Sequence, residues 1–419
     1  MSLPYQKEQQ IHSLSWLSNA AFGLKEPDFS TLQGLTNDIV VNALADAGIQ
    51  KTIGTDWQLL WGPIVFSNSQ HVAEVVADNT MMLLYSKSQN LFVVGVAGTN
   101  AVSVFGWLQE DFKVNRLVHW GSIVNKTIIE LIQPSVSEGT ATGLNELLNM
   151  THDGKGLIAF LSDYLKSENI PAGAEVAVTG HSLGGALSPT FAMYLQDTIS
   201  KWNTTGAVKT ISAWPTAGPT PGNAAFATYV EKHLPSYTAK YNPIDIVPQA
   251  WQRDCIETIP GIYSKNLTPP ESAAPFETFI GTLVTAVFLN TINKADYLPI
   301  EYTHIQPRTA LPGSAFDKDT NDKMAFKVDI AGKYEPAGLK PYVPYLRNLA
   351  CFLAQAAYQH TTAYNTLLNI AEFAEDLKEI KAKLTGKTEE DRLEDALHEA
   401  LHKYFGMRLP FAKLVDAVL

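Results

Sequence analysis

The sequence predicts an α/β fold, with a mostly parallel central sheet flanked by helices. Three observations predict it. Strand-like and helix-like segments alternate between Glu175 and Tyr241. The segment Leu91–Ala97 (LFVVGVA) is apolar nearly throughout, as a strand buried on both faces should be. The pentapeptide Gly180-His181-Ser182-Leu183-Gly184 stands between a strand-like segment and one rich in Ala and Leu.

In chain order, helices are expected around Gln6–Ala21 and Asn37–Ala47. Asn79–Tyr85 and Leu91–Ala97 flank the turn Ser86-Lys87-Ser88-Gln89-Asn90 and predict a hairpin. Glu175–Thr179, Lys209–Ala213 and Tyr237–Tyr241 read as strands, and Gly185–Ile199 and Asn223–His233 as the helices between them. That order implies parallel strands with right-handed crossovers. After Trp251 the pattern breaks, and prolines at 269, 270 and 275 precede an apolar run, Phe276–Leu289. Pro307–Pro344 reads as loop-rich and Tyr345–Phe373 as helical. Thr388–Phe405 is an amphipathic helix with Leu393, Leu397, Ala400, Leu401 and Tyr404 on one stripe. The expected organisation is a main domain over 1–370, with an insertion at about 251–300 after the acid strand, and a helical extension over 371–419 packed on it.

Composition narrows the function. The chain has 419 residues, is 46% apolar and 17% charged, and carries a net charge of −11, the balance of a globular protein. An acidic chain does not suit nucleic acid, which needs clustered Lys and Arg, or simple electrostatic adhesion to anionic membranes. No apolar stretch reaches about 20 residues, so no membrane-spanning helix is expected. The start, MSLPYQKEQQI, lacks the basic end and apolar run of a secretory leader. Cytoplasmic residence and export by a leaderless route both fit. Cys255 and Cys351 could pair or stay as thiols, and two cysteines do not decide the redox compartment.

The pentapeptide fits G-x-S-x-G in the required context, with a strand before and a helix after. Such a turn is tight, and glycines before and after the serine let strand and helix approach without side-chain clashes. Ser182 is then a nucleophile exposed at the end of a sheet in an α/β-hydrolase fold. The helix amino end favours a developing oxyanion, with the Leu183 N–H as donor.

Four segments in order resemble the class 3 lipases, the fungal-lipase-like group. These are Val93–Thr99 (VVGVAGT), Ala177–Leu187 (AVTGHSLGGAL), Pro215–Phe226 (PTAGPTPGNAAF) and Asn242–Pro248 (NPIDIVP). The resemblance implies an α/β-hydrolase fold, a Ser-Asp-His triad, hydrolysis of lipid esters at or near a lipid interface, and no cofactor. It makes Thr99 the second oxyanion donor. It offers Glu110 and Asp111, after Trp107-Leu108, as acidic supports for that residue. It puts a mobile lid near Ala101–Leu108 (AVSVFGWL); Phe276–Leu289 reads equally as a second flap or as core.

Asp245 is the expected acid on two grounds. It lies in the N-x-x-D-x-V-P segment, and it follows the strand two after the one ending in Ser182. Two strand spacings are about 10 Å, a gap one imidazole can bridge. The base should follow the acid, so His304, His360, His398 and His402 are candidates. His360, in Gln359-His360-Thr361-Thr362-Ala363-Tyr364, resembles the family's late H-x-x-x-Y and is the choice. His304, in Tyr302-Thr303-His304, resembles a structural histidine. The segment between Asp245 and His360 is longer than the family usually shows. His181 is expected to pack against the sheet.

His398-Glu399-Ala400-Leu401-His402 matches H-E-x-x-H, the zinc-peptidase pattern. Zinc needs a third ligand, for which only Asp416 follows, and Arg408 stands where an extended motif has its last histidine. No metal is expected. The function expected is carboxylic ester hydrolysis, of triacylglycerol first, with phospholipase A1 or short-chain esterase activity as alternatives. A non-catalytic binding protein on the same fold and a zinc peptidase rank below them.

Overall fold

A computed structural model describes residues 5–68, 75–97, 113–267, 300–333 and 343–388. Its main sheet has eight strands: β1 (Trp57–Phe66), β2 (Asn79–Ser86), β3 (Leu91–Ala97), β4 (Ala174–His181), β5 (Val208–Thr216), β6 (Ser236–Tyr237), β7 (Ala239–Tyr241) and β8 (Arg308–Ala310). The order is β1-β2-β3-β4-β5-β7-β8, with β6 beside β5. The first three strands pair antiparallel, and β3 onward pair parallel. The predicted hairpin and strand–helix alternation are therefore present.

Alternation along the strands sorts their side chains into two cores. Phe92, Val94, Val96, Val176 and Val178 face one way. They meet Leu187 and Phe191 of the helix after Ser182, with Leu144, Leu161 and Phe226. Val93 and Ala177 face the other way, toward the N-terminal helices. Helix α1 (Lys7–Ser18) crosses that second face, and α2 (Phe29–Ala45) covers its antiparallel edge. The helix after Ser182 is α3 (Leu183–Asp197), and α4 (Ala224–His233) is capped by the Asn223 side chain, which accepts from the Phe226 N–H at 2.9 Å.

The structure revises or adds to the sequence reading at four points. The second helix starts at Phe29 rather than Asn37, because Asp28 caps it through the Thr31 N–H at 2.8 Å. Strand β1 was not foreseen; it lies on the sheet edge and carries Gly62-Pro63 inside the register shift between Trp61 and Ile64. The segment 307–344 is not all loop. It holds α5 (Lys318–Lys333), which buries Met324, Ala325 and Val328 against the next helix. The helical stretch expected over Tyr345–Phe373 is present as three helices, the last running on to Thr385: α6 (Val343–His360), α7 (Thr362–Leu367) and α8 (Ala371–Thr385). Helix α8 inserts Phe373, Leu377 and Ile380 into the layer formed by α1 and α2. The run 276–289 and the amphipathic segment from 389 onward lie outside the described residues.

Candidate active site

The site is built at the carboxyl ends of β4, β5 and β7. Ser182 follows β4 and opens α3 with φ 63° and ψ −125°, a strained left-handed backbone for a residue with a side chain. Two bonds hold the turn: its N–H donates to the Thr216 carbonyl at 3.1 Å, and its carbonyl accepts from the Gly185 N–H at 2.8 Å. The turn needs small residues for a direct reason. A Cβ on Gly180 would lie 2.3 Å from the Gly184 carbonyl oxygen, and one on Gly185 would lie 2.4 Å from the Thr216 carbonyl oxygen. Leu183 is the first residue of α3, so its N–H lies among those with no acceptor inside the helix.

Asp245 sits in the loop after β7 with its side chain fully buried. One carboxylate oxygen accepts from the Val247 N–H at 3.0 Å. The other accepts from His360 Nδ1 at 2.8 Å and from the Tyr364 hydroxyl at 3.1 Å. His360 is the last residue of α6, and its Nε2 lies 2.7 Å from Ser182 Oγ. The carboxylate can only accept, so Nδ1 carries the proton and Nε2 is left to receive the serine's. A hydroxyl, an imidazole and a buried carboxylate in line are the parts of an activated nucleophile.

The structure thus brings Ser182, Asp245 and His360 together, with Leu183 beside them. Thr99, Glu110 and Asp111, the lid segment 101–108, and His398, Glu399, His402 and Asp416 lie outside the described residues. His304 is buried apart from the relay, with its N–H 3.2 Å from Gln252 Oε1 and its Nε2 without a hydrogen bond. Burial, and after it the Arg308 charge, hold its pKa well below that of an ordinary imidazole. Cys255 and Cys351 are both free thiols, and burial pushes Cys351 up to about 11. Among the described residues, no group of acidic, His and Cys side chains could hold a metal ion. No described helix is long and apolar enough to cross a membrane.

Two residues around the relay were not singled out from the sequence, and a third was read only as packing. The Tyr364 hydroxyl donates to Asp245 and accepts from the Asn242 N–H at 2.8 Å. The Asn242 side chain donates to the Gln359 carbonyl at 3.0 Å. His181 lies beneath the relay. The first two stand in the quoted N-x-x-D and H-x-x-x-Y segments, but only the fold shows that the segments meet. For His181 a signal existed: strand parity puts it on the face of Ala177, opposite α3.

A parallel sheet of this order, with a serine at positive φ on the turn into a helix, is an α/β-hydrolase fold. The family profile of the class 3 lipases matches residues 102–254, a span that includes Ser182 and Asp245 and ends before His360. The chain is similar to M37 lipase at 26% identity over 91% of this chain and 99% of that one, with a TM-score of 0.64. Lower likenesses include the lipase from Rhizopus microsporus var. chinensis, 19% identical over 60% of this chain and 72% of that one, TM-score 0.40. Another is Lip2 lipase from Yarrowia lipolytica, 20% identical over 47% and 62%, TM-score 0.34. No match was found among curated proteins. By the profile match over 102–254 and the likeness to M37 lipase, the chain resembles the class 3 lipases.

Proposed function

We propose that the chain is a serine ester hydrolase acting on lipid esters, triacylglycerol first, through an acyl-enzyme. One observation carries the reading. A single imidazole spans Ser182 Oγ at 2.7 Å and the Asp245 carboxylate at 2.8 Å, at a serine held on a strained strand-to-helix turn.

In the proposed reaction His360 Nε2 takes the Ser182 proton as Oγ bonds to the ester carbonyl carbon. Asp245 stabilises the imidazolium. The negative oxygen is held by the N–H groups of Leu183 and Thr99, the latter steadied by Glu110 or Asp111. Collapse expels the alcohol, which takes the proton from His360. Water then loses a proton to His360 as it attacks the acyl carbonyl, and collapse releases the fatty acid while His360 returns that proton to Ser182 Oγ. Every proton in this cycle is handled by His360, so no cofactor is needed.

Kinetics of Ser182→Ala, His360→Ala and His304→Ala on a soluble p-nitrophenyl ester test the assignment. The first two should lose at least about 10⁴-fold in kcat. His304→Ala should keep turnover and lose thermal stability. Activity surviving in His360→Ala and lost in a folded His304→Ala would overturn the choice of base. Rates on emulsified triacylglycerol, phospholipid and soluble esters separate lipase from phospholipase A1 and short-chain esterase. A wild type inactive on all of them would favour a binding protein, and stoichiometric zinc with peptidase activity would favour the H-E-x-x-H reading.

A further inference from the structure

We propose that His181 is a positioning residue for the base: its side chain fixes the backbone of His360, coupling the two halves of the relay from below. The inference rests on the triad reading and extends it to a residue that touches no substrate.

The argument begins with the end of a helix. The last carbonyls of a helix have no partner inside it. Helix α6 ends at His360, so the carbonyls of Gln359 and His360 need outside donors. Each is supplied by a side chain from a different part of the site. Asn242 Nδ2, on the loop that carries Asp245, donates to the Gln359 carbonyl at 3.0 Å. His181 Nε2, on the strand that ends in Ser182, donates to the His360 carbonyl at 2.7 Å. The helix bearing the base is thereby tied to the acid loop at one carbonyl and to the nucleophile strand at the next.

Chain geometry explains why His181 can do this. It is the last residue of β4 and follows Ala177 and Thr179 in parity, so it points to the face of the sheet that α1 covers. Ser182 then turns with positive φ into α3. The two neighbours therefore address the same residue from different sides, Ser182 its ring and His181 its backbone.

The proton position follows from the partners. A carbonyl only accepts, so His181 Nε2 carries the hydrogen. Nδ1 then accepts from the Thr216 hydroxyl at 3.0 Å. The ring is packed between Trp16 of α1, at 4.6 Å between centroids, and Tyr364, at 4.8 Å. It is only 5% exposed. Burial, with the adjacent His360 after it, pushes its pKa well below the ordinary value, so the ring stays neutral. A neutral ring suits the role, because a charged one 4.9 Å from the His360 ring would oppose the imidazolium formed in the reaction.

The test is a comparison of kcat and KM on soluble p-nitrophenyl butyrate for wild type, His181→Leu and His181→Gln. Small misplacement of a reacting group costs rate rather than binding. His181→Leu should lose about 30-fold in kcat with KM within about twofold of wild type. His181→Gln, whose amide N–H can reach the same carbonyl, should recover to within about threefold. A folded His181→Leu with the kcat of the wild type would overturn the inference, as would a His181→Gln no better than His181→Leu. Should His181→Leu fail to fold, Thr216→Val decides. It removes the donor that holds His181 Nδ1 and should lower kcat by at least about threefold; an unchanged kcat would overturn the inference. A wild type with no ester hydrolysis would instead overturn the triad reading beneath it.

Discussion

At the scale of single residues, the acid is the best-supported group of the site. Asp245 is wholly buried, and its carboxylate accepts three hydrogen bonds, from Val247, His360 and Tyr364. A buried carboxylate costs several kcal/mol unless paired and bonded, so each donor matters. Tyr364→Phe removes one donor to Asp245 and leaves the Asn242 N–H without its acceptor. The expected outcome is a loss of about 2 kcal/mol in stability, read by urea denaturation, with kcat reduced by about tenfold. Unchanged stability would mean that the hydroxyl is not part of the acid's support. Much at this scale was legible in the sequence. Ser182, Asp245 and His360 stand in short segments whose residue types follow from the chemistry, and the structure brings those segments together. His181 was read as packing only. Its role depends on where α6 ends, which no local pattern around residue 181 contains.

At the scale of elements, the site depends on how closely strand, helix and loop approach. Gly185 of α3 lies against backbone of the loop after β5, where an added Cβ would meet Gly218 Cα at 2.8 Å as well as the Thr216 carbonyl oxygen. Gly185→Ala should therefore push α3 off β5 and cost about 1–3 kcal/mol, measured as a fall in Tm. A Tm equal to that of the wild type would show that the junction has slack. Elements with a continuous apolar run or a clear turn beside them were read correctly, β2, β3, β4 and α3 among them. The failures have physical causes. β1 tolerates Gly62-Pro63 because an edge strand has one side without ladder bonds. α5 hides because much of it is polar; among its described side chains, the buried apolar ones are Met324, Ala325 and Val328. The break after His360 falls at Thr361, which leaves the helix with φ −120° and ψ −84°, so that α6 ends at His360.

At the scale of the whole molecule, α1 ties the N-terminus to the site. It crosses the sheet beneath the relay, and its Trp16 packs on His181. The same helix buries His12, whose ring nitrogens find no hydrogen bond and whose pKa burial lowers to about 4. An ordinary imidazole titrates near 6.5. Between these values the unfolded chain binds a proton that the folded chain refuses. Folding stability therefore falls as pH drops through that window, by about 3 kcal/mol at pH 4 from this group alone. His181 and His304, also held well below the ordinary value, act in the same direction. The Tm should drop between pH 7 and 4.5, and His12→Leu should flatten part of that drop. A His12→Leu profile parallel to the wild type would refute the assignment. The central claim is narrower: Ser182 is the nucleophile, activated by His360. Its most direct test is covalent labelling with a fluorophosphonate ester, with the modified peptide identified by mass spectrometry. The account predicts one phosphonyl group on Ser182 in the wild type, none there in Ser182→Ala, and labelling slowed by at least about 10³-fold in His360→Ala. Equal labelling of Ser182→Ala at another residue, or no labelling of an ester-hydrolysing wild type, would contradict it.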